Sequence, residues 1–430
     1  MSHEVPVPRR SGLMSLEEAL DQLLGSAQPL PGQQTVATLE ADGRVLAQDI
    51  RSALDVPGFD NSSMDGYAVN RAEVAAAVAA GQALAVSQRI AAGQFGPALQ
   101  SGSVVRIFTG APLPAGADAV VMQEEVEIGL DAQGQAGQGL ARFSSAPEPG
   151  AFIRRRGEDI RQGDTVLPAG TRLGPAELGL AASLGLAELP VRPRLRVALF
   201  STGDELVMPG EVAPQDMAPG AIYNSNRYFL AVLLRRLGCE VSDLGIVPDR
   251  REATLAALRI AAESHDLIVT SGGVSVGEED HVKPAVQQLG GLDLWQIAIK
   301  PGKPFAHGWI ARSGQAGQAA EAGKAGNTAG RCHFVGLPGN PVSSFVTFLL
   351  LVRPFLSRLQ GIAAGQGVTR SGADGLPPAL SLPAHFDWPR ADRRREFLRV
   401  RRHASRGLDR FSNQSSGVLT SVARCDGLVD

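Results

Sequence analysis

From Leu195 onward the chain repeats one rhythm: an apolar run, a glycine-rich loop, a helical stretch, then the next apolar run. Strands alternating with helices argue for βα units and a mainly parallel sheet. The predicted strands are Arg196 to Phe200, Glu240 to Val247, Asp266 to Thr270, Leu292 to Ile299 and His333 to Gly336. Leu255, Leu258 and Ala262 mark a helix face between the second and third. The apolar stretch from Phe345 to Val352 is far short of the ~20 residues a bilayer span needs, so it reads as a buried helix.

A chain of 430 residues is too long for one compact core, and domains of ~100 to 200 residues make it multidomain. Upstream, Ser15-Leu16-Glu17-Glu18 has the form of a capping box, with Leu16, Leu20, Leu23 and Leu24 on one helical face. Pro57 to Asn70 and Ser101 to Gln123 alternate short β-branched runs with turn residues and predict a β-rich domain, with Gly129 to Gly139 as a loop in it. Ser313 to Arg331 is Gly, Ala and Gln with little apolar bulk, a flexible insertion; Gly361 to Gly375 reads as a linker. Leu376 to Asp430 is a small domain with strand-like runs at Phe397 to Val400 and Val418 to Val422.

Apolar residues are 44%, charged residues 20% and the net charge is -3, a balance that asks for neither nucleic acid nor membrane. Cys239, Cys332 and Cys425 are an odd number at wide spacings, which suggests no disulfide framework or thiolate zinc site and fits a reducing compartment. Met1 to Arg10 lacks the apolar core of a signal peptide, so a cytoplasmic location is expected. The runs Arg154-Arg155-Arg156 and Arg393-Arg394-Arg395 are flanked by acids and are expected in ion pairs rather than on nucleic acid. His265, His281 and His307 lack metal-ligand spacing, and no Gly-x-Ser-x-Gly elbow occurs, which disfavours zinc-enzyme and hydrolase readings.

The chemistry is expected in the loops after the strands: Ser201 to Glu205, Pro248-Asp249, Ser271 to Gly277, and Leu337 to Pro341. Open α/β sheets bind ligands at the carboxyl ends of their strands, so these loops should converge. In Ser271-Gly272-Gly273-Val274-Ser275-Val276-Gly277 the glycines let backbone amides approach an anion, and a helix starting after Gly339-Asn340-Pro341 adds N–H groups and a positive dipole end. Phosphate is the natural guest, although each such loop alone also reads as a tight turn. The same loops carry Asp204, Glu205, Asp249, Glu278, Glu279 and Asp280, too much negative charge for a bare phosphate pocket. A divalent cation such as Mg²⁺ resolves the conflict, with helix capping and solvated faces as the plain alternatives. Lys300 and Lys303 flank a proline-fixed turn where both ammonium groups can meet an anion or stay at the surface.

Phe59-Asp60-Asn61-Ser62-Ser63-Met64-Asp65-Gly66-Tyr67-Ala68, Phe108-Thr109-Gly110-Ala111-Pro112, Arg154 to Ile160, Ser201 to Leu206, Ser271 to Gly277, the Lys300 turn and Gly336 to Pro341 together resemble the molybdopterin molybdenumtransferase family, known as MoeA in bacteria and as the E domain of gephyrin. The resemblance runs from about Gly12 to Val400. It implies a homodimer of four-part subunits: residues 12–53 with 154–193 as a linker and dimerisation domain, 54–153 as a β-rich inserted domain, 194–364 as the α/β molybdopterin-binding domain, and 365–430 as a small β domain. It also implies that the α/β domain of one subunit faces the β-rich domain of the other.

By motif position the implied functional residues are Asp65, Thr109, Asp159, Glu205, Asp249, Asp280, Lys300 and Lys303. Ser271, Gly272, Gly273, Ser275, Gly277, Pro338, Gly339, Asn340 and Pro341 would bind substrate, joined by Arg399 and Ser416. The implied reaction inserts molybdenum from molybdate into adenylylated molybdopterin and releases AMP, with Mg²⁺ held by Glu205 or Asp280. A molybdopterin adenylyltransferase would stand upstream and cofactor-modifying or molybdoenzyme-maturation proteins downstream. Two departures stand out: Asn413-Gln414-Ser415-Ser416 replaces the more usual His-Gln-Gly-Ser, and the sequence stops at Asp430 where members generally continue, so that an incomplete or a shortened small domain is expected, in either case with an exposed edge strand. The competing readings are a molybdopterin adenylyltransferase, which would need an ATP site, and a scaffold or carrier that keeps the fold without turnover.

Overall fold

The structure, a computed structural model, describes residues 13–129, 139–273, 281–313, 330–363, 379–389, 392–405 and 407–430. The chain forms two compact units: residues 49–168, and residues 1–48 together with 169–430. Most of the predicted Gly129 to Gly139 loop, of the Ser313 to Arg331 insertion and of the Gly361 to Gly375 linker lies outside the described residues.

The unit of residues 49–168 is built on a six-stranded sheet: Gly66–Val69 (β1), Leu84–Ile90 (β2), Ser103–Ile107 (β3), Ala119–Met122 (β4), Val126–Gly129 (β5) and Leu140–Phe143 (β6), in the order β4-β1-β3-β2-β6-β5. Only β2 and β3 pair in parallel. Side chains alternate across the pleat: Tyr67, Val69, Val104, Ala119 and Val121 join one apolar cluster, while Ala68, Val105, Ile107 and Val120 join another. The β-rich reading therefore holds, with one helix added to it. Arg71–Ala80 (α2) follows Asn70, whose side-chain oxygen accepts from the amides of Ala72 and Glu73 at 3.1 and 3.3 Å, and it ends at left-handed Gly81.

In the larger unit, Leu16–Gly25 (α1) starts at the predicted capping box: Ser15 and Glu18 bond each other's backbone amides reciprocally. Its Leu16, Leu20 and Leu23 are buried; Leu24 is half-buried. The central sheet contains Arg196–Thr202 (β7), Glu240–Val247 (β8), Leu267–Ser271 (β9), Gly290–Gln296 (β10), Pro304–Ala311 (β11) and Arg331–Leu337 (β12), in the order β8-β7-β9-β12-β11-β10. β8, β7, β9 and β12 are mutually parallel, and β11 runs antiparallel to both of its neighbours. β11 is a correction to the sequence reading, as is the end of β10 at Gln296 rather than Ile299. His307 and Gly308 break the apolar run of β11, yet both are buried, so its signal is of a strand covered on both faces rather than an alternating one.

Helices cover both faces of this sheet. Val197 and Leu199 of β7 face Leu230 and Leu234 of Ser225–Arg236 (α3), whereas Ala198 and Phe200 face the cluster of Leu258 and Ala262 from Arg251–Ser264 (α4) and Val286 from Val282–Leu289 (α5). Pro341–Leu359 (α6) is the predicted buried helix, lengthened to 19 residues through a π-helical segment at Phe348–Val352. It is long and apolar enough to cross a membrane by length and composition, but 72% of its most apolar stretch is buried inside the fold, among them Phe348, Leu351, Phe355 and Leu359. All three cysteines are free, and burial pushes the Cys239 and Cys332 thiols up to about 12.

Near the carboxyl terminus, Leu398–Arg402 (β13) pairs with Leu408–Arg410 (β14) on one side and Gly427–Val429 (β15) on the other. The expected strand at Val418 to Val422 is instead a helical turn, Thr420–Ala423. Val418, Leu419 and Val422 sit at i, i+1 and i+4, the spacing of a helix rather than of a strand.

Candidate functional site

The four loops predicted to converge do so. Thr202, Gly203, Glu205, Asp249, Ser271, Gly272, Gly273, Pro338, Gly339, Asn340 and Pro341 line one cleft of ≈ 580 Å³ at the carboxyl ends of β7, β8, β9 and β12. That volume lies in the range of small-molecule sites. Ser275, Gly277 and Asp280 lie outside the described residues.

The glycines are required sterically. Gly272 and Gly273 have φ of +93° and +68°; a Cβ on Gly272 would stand 2.9 Å from the Thr202 carbonyl oxygen, and one on Gly273 2.5 Å from Val282 Cγ2. The turn is thus pressed between β7 and α5, which leaves its backbone at the cleft surface. At Gly203, φ is +143° and a Cβ would meet the Glu205 carboxylate at 2.5 Å, so that carboxylate folds back over the end of β7.

The floor of the cleft is held by a segment that sequence reasoning missed. Asn224 caps α3, accepting from the Arg227 amide at 3.2 Å, and Asn226 donates to Ser271 Oγ and to the Gly339 carbonyl, both at 2.7 Å. Asn226 therefore ties the glycine turn to the start of α6. Asn224 Nδ2 and Thr202 Oγ1 are buried and have no hydrogen-bond partner among the described residues. Orphaned buried polar atoms beside an open cleft are what a polar ligand satisfies on binding. The signal was present in the sequence as Asn224-Ser225-Asn226 ahead of an amphipathic stretch, a helix-start signature.

α6 starts at Pro341 after the Asn340 cap, as expected, and the Val342 amide donates to the Ser416 carbonyl at 3.0 Å. Ser416 thus reaches the cleft's edge through its backbone. Arg399 is only 1% exposed and donates to Ser421 Oγ at 3.2 Å and to the Phe397 and Ser415 carbonyls at 3.2 and 3.3 Å. Its side chain organises the turn that carries Ser416, and burial holds its pKa below the usual arginine value.

Lys300 and Lys303 are not among the residues lining the cleft, which Pro304 of the same turn does line. The Lys300 ammonium lies 2.8 Å from Glu396 and 3.5 Å from Asp392, and the hydrogen bond to Glu396 raises its pKa. Lys303 is exposed, and its carbonyl accepts from the Ile297 amide.

In the other unit, Asp65 and Thr109 come together across 44 residues: Asp65 Oδ1 accepts from the Thr109 amide and hydroxyl, both at 2.8 Å. These two bonds lower the Asp65 pKa. Asp159 is exposed, its amide bonded to Val56. The arginine run makes the expected ion pairs, Arg155 with Asp60 at 2.7 Å and Arg156 with Asp55 at 2.6 Å.

Among the described residues no three Asp, Glu, His or Cys side chains gather in the manner of a metal cage. Glu205 and Asp249 nonetheless bring carboxylates to a cleft that also holds the Thr202 hydroxyl, a hard-oxygen set that fits Mg²⁺, which takes one or two carboxylates and completes its shell with water and substrate phosphate.

Fold and cleft together define an α/β protein with a cleft of small-molecule size at the carboxyl ends of its parallel strands. Comparisons with known proteins give the family. Residues 14–185 match "MoeA N-terminal region (domain I and II)", residues 198–358 match "Probable molybdopterin binding domain", and residues 381–430 match "MoeA C-terminal region (domain IV)". A molybdopterin molybdenumtransferase of Haemophilus influenzae is 43% identical over 352 residues, covering 81% of this chain and 78% of that protein. Molybdopterin molybdenumtransferase 2 of Mycobacterium tuberculosis is 36% identical over 405 residues, 92% of this chain and 90% of that protein. The crystal structure of the molybdopterin biosynthesis MoeA protein from Pyrococcus horikoshii OT3 superposes with a TM-score of 0.75 at 25% identity, covering 96% of this chain and 94% of that one. The chain belongs to the molybdopterin molybdenumtransferase family.

Proposed function

We propose that this protein is the transferase of molybdenum cofactor biosynthesis that inserts molybdenum from molybdate into adenylylated molybdopterin and releases AMP. The observation that carries this reading is the strand-end cleft in which a steric glycine turn, a helix start, uncharged donors with no partner among the described residues and the Glu205 and Asp249 carboxylates meet. In the overall change the phosphoanhydride takes up one water and breaks, AMP leaves, and the two dithiolene sulfurs replace oxygens of molybdate that depart as water.

The backbone of Ser271 to Gly273 and the start of α6 would seat the pterin phosphate, and the Asn224 amide and Thr202 hydroxyl would meet polar substrate atoms. When bound to Glu205 with Asp249 or Asp280, Mg²⁺ would supply neutralisation of pyrophosphate charge. Asp65, its carboxylate oriented by Thr109, and Asp159 would come from the partner subunit of a homodimer. Lys300 and Lys303 would hold phosphate or molybdate oxygens after Lys300 exchanges its acidic partners. The four-part division of each subunit, the cytoplasmic location, and the adenylyltransferase upstream with cofactor-modifying proteins downstream belong to the same reading.

The test is a turnover assay with purified protein, adenylylated molybdopterin, Mg²⁺ and molybdate, following AMP release and protein-bound molybdenum. Molybdate-dependent release that falls at least ~100-fold in Glu205→Ala and Asp280→Ala is the expected result. Release indifferent to both substitutions, or none from the intact protein, would overturn the reading.

A further inference from the structure

A second cleft of ≈ 770 Å³ lies at the opposite, amino-terminal edge of the parallel strands, where Arg196 opens β7, Glu240 opens β8, Asp266 precedes β9 and Arg331 opens β12. Arg196 and Thr202, which line the two clefts from opposite ends of β7, are six residues apart, about 20 Å at ~3.3 Å per residue. Its wall holds five guanidinium groups, from Arg44, Arg194, Arg196, Arg312 and Arg331, and two carboxylates, Asp266 and Glu240. The formal excess of three positive charges is notable in a chain whose net charge is -3.

Among the described lining residues the two acids serve more than one arginine each or none. Asp266 alone takes both Arg196, at 3.2 Å, and Arg312, at 3.4 Å. Arg44 is buried and donates to two neutral oxygens, Gln34 Oε1 and the Arg192 carbonyl, both at 2.8 Å. Arg194 is exposed and donates to the Gly238 carbonyl, and Arg331 stacks on Trp309 with its guanidinium 3.9 Å from the ring centroid. Burial and the neighbouring Arg194 charge both lower the Arg44 pKa, which agrees with crowded like charge. His333, also in the wall, is held neutral by burial, its pKa pushed down to about 4, and adds no charge near neutrality.

Planar guanidinium groups bind phosphate oxygens in forked pairs, and several converging on a cleft of this size suit an oligophosphate. We propose that the amino-edge cleft is a binding site for a small molecule carrying a pyrophosphate or longer phosphate chain, separate from the molybdopterin cleft. Arg194 and Arg196 contact its oxygens, and Arg44 and Arg312, anchored by their own bonds, frame it.

Calorimetric titration of the full chain with inorganic pyrophosphate, without Mg²⁺, tests the site. Because the molybdopterin cleft can also take pyrophosphate, the titration is repeated on Asn226→Leu, which disturbs only that cleft. Pyrophosphate binding that survives in Asn226→Leu, weakens at least ~10-fold in Arg194→Glu and in Arg196→Gln, and declines with added salt supports the proposal. Should Arg194→Glu melt early, Arg194→Gln takes its place. Undetectable binding by the wild type, equal affinity in the arginine variants, or binding abolished by Asn226→Leu alone would overturn it, and none of these outcomes bears on the AMP-release assay.

Discussion

At its carboxyl edge the parallel sheet offers a ligand mostly uncharged groups: glycine-turn backbone, the Asn224 amide, the Thr202 hydroxyl, with Glu205 and Asp249 as the charged members. At its amino edge two of the same strands open on arginines, Arg196 and Arg331, joined by Arg44, Arg194 and Arg312 from neighbouring segments, beside the acids Glu240 and Asp266. The difference follows from how each edge is made. Carboxyl-end loops run straight into helices, so close approach of backbone is available and costs only glycines at the tight positions. At the amino edge, long side chains from strand starts and from the segments beside them meet, so recognition there is by charge. Shape is built into one edge and field into the other.

The largest test of this contrast is acid. His307 and His333 are almost fully buried behind the amino edge, and desolvation depresses their pKa values to about 3 and about 4. Both stay neutral in the folded protein while the unfolded chain takes up protons below ~6.5. The stability they contribute is complete above pH 6.5 and is lost as pH falls towards 4 and 3, with a slope of up to ~1.4 kcal/mol per pH unit for each. Urea melts at pH 7.0 and 5.0 should show this loss, and His333→Phe should flatten the slope by about one proton; an unchanged slope would remove His333 from the account.

Next comes Gly273→Val. With φ at +68° and Val282 in the way, it should cost about 3 kcal/mol in urea melts and reduce AMP release more than stability alone explains. A tolerated valine would mean that the turn is not shape-determined. Asn226→Leu leaves Ser271 and the Gly339 carbonyl without their donor and should cost about 2 kcal/mol, with a higher KM. The smallest effect belongs to the field-dominated edge: Arg196→Gln should change stability by less than ~1 kcal/mol, because the Arg196 side chain is about half exposed and Asp266 keeps its bonds from the Arg196 amide and Arg312.

Most of the parallel sheet was readable from the sequence because each strand is apolar, short and closed by a Gly-, Pro- or Asp-containing loop. The cleft at the carboxyl ends followed from that order alone. β11 was not readable: Pro304, His307 and Gly308 disguise a strand whose polar members are buried by tertiary packing rather than by pattern. Asn224 and Asn226 escaped notice because asparagine in a loop usually signals only a turn or cap; it takes the folded chain to reveal that one closes the floor and the other has a buried amide with no partner among the described residues. Lys300 illustrates the opposite failure, since its charge was plain in sequence but its partners, Asp392 and Glu396, lie about 90 residues away. The amino-edge arginines are scattered from residue 44 to residue 331, so no local run announces them.

The bond from the Val342 amide to the Ser416 carbonyl places the negative end of a peptide dipole against the positive beginning of α6. That carbonyl is held in turn by the loop that buried Arg399 organises. The positive potential at the start of α6 is therefore partly muted by a residue of the carboxyl-terminal segment. Loosening the carboxyl-terminal sheet would alter the voltage of the cleft before it altered its shape, so that sheet acts as an electrostatic trimmer on the site.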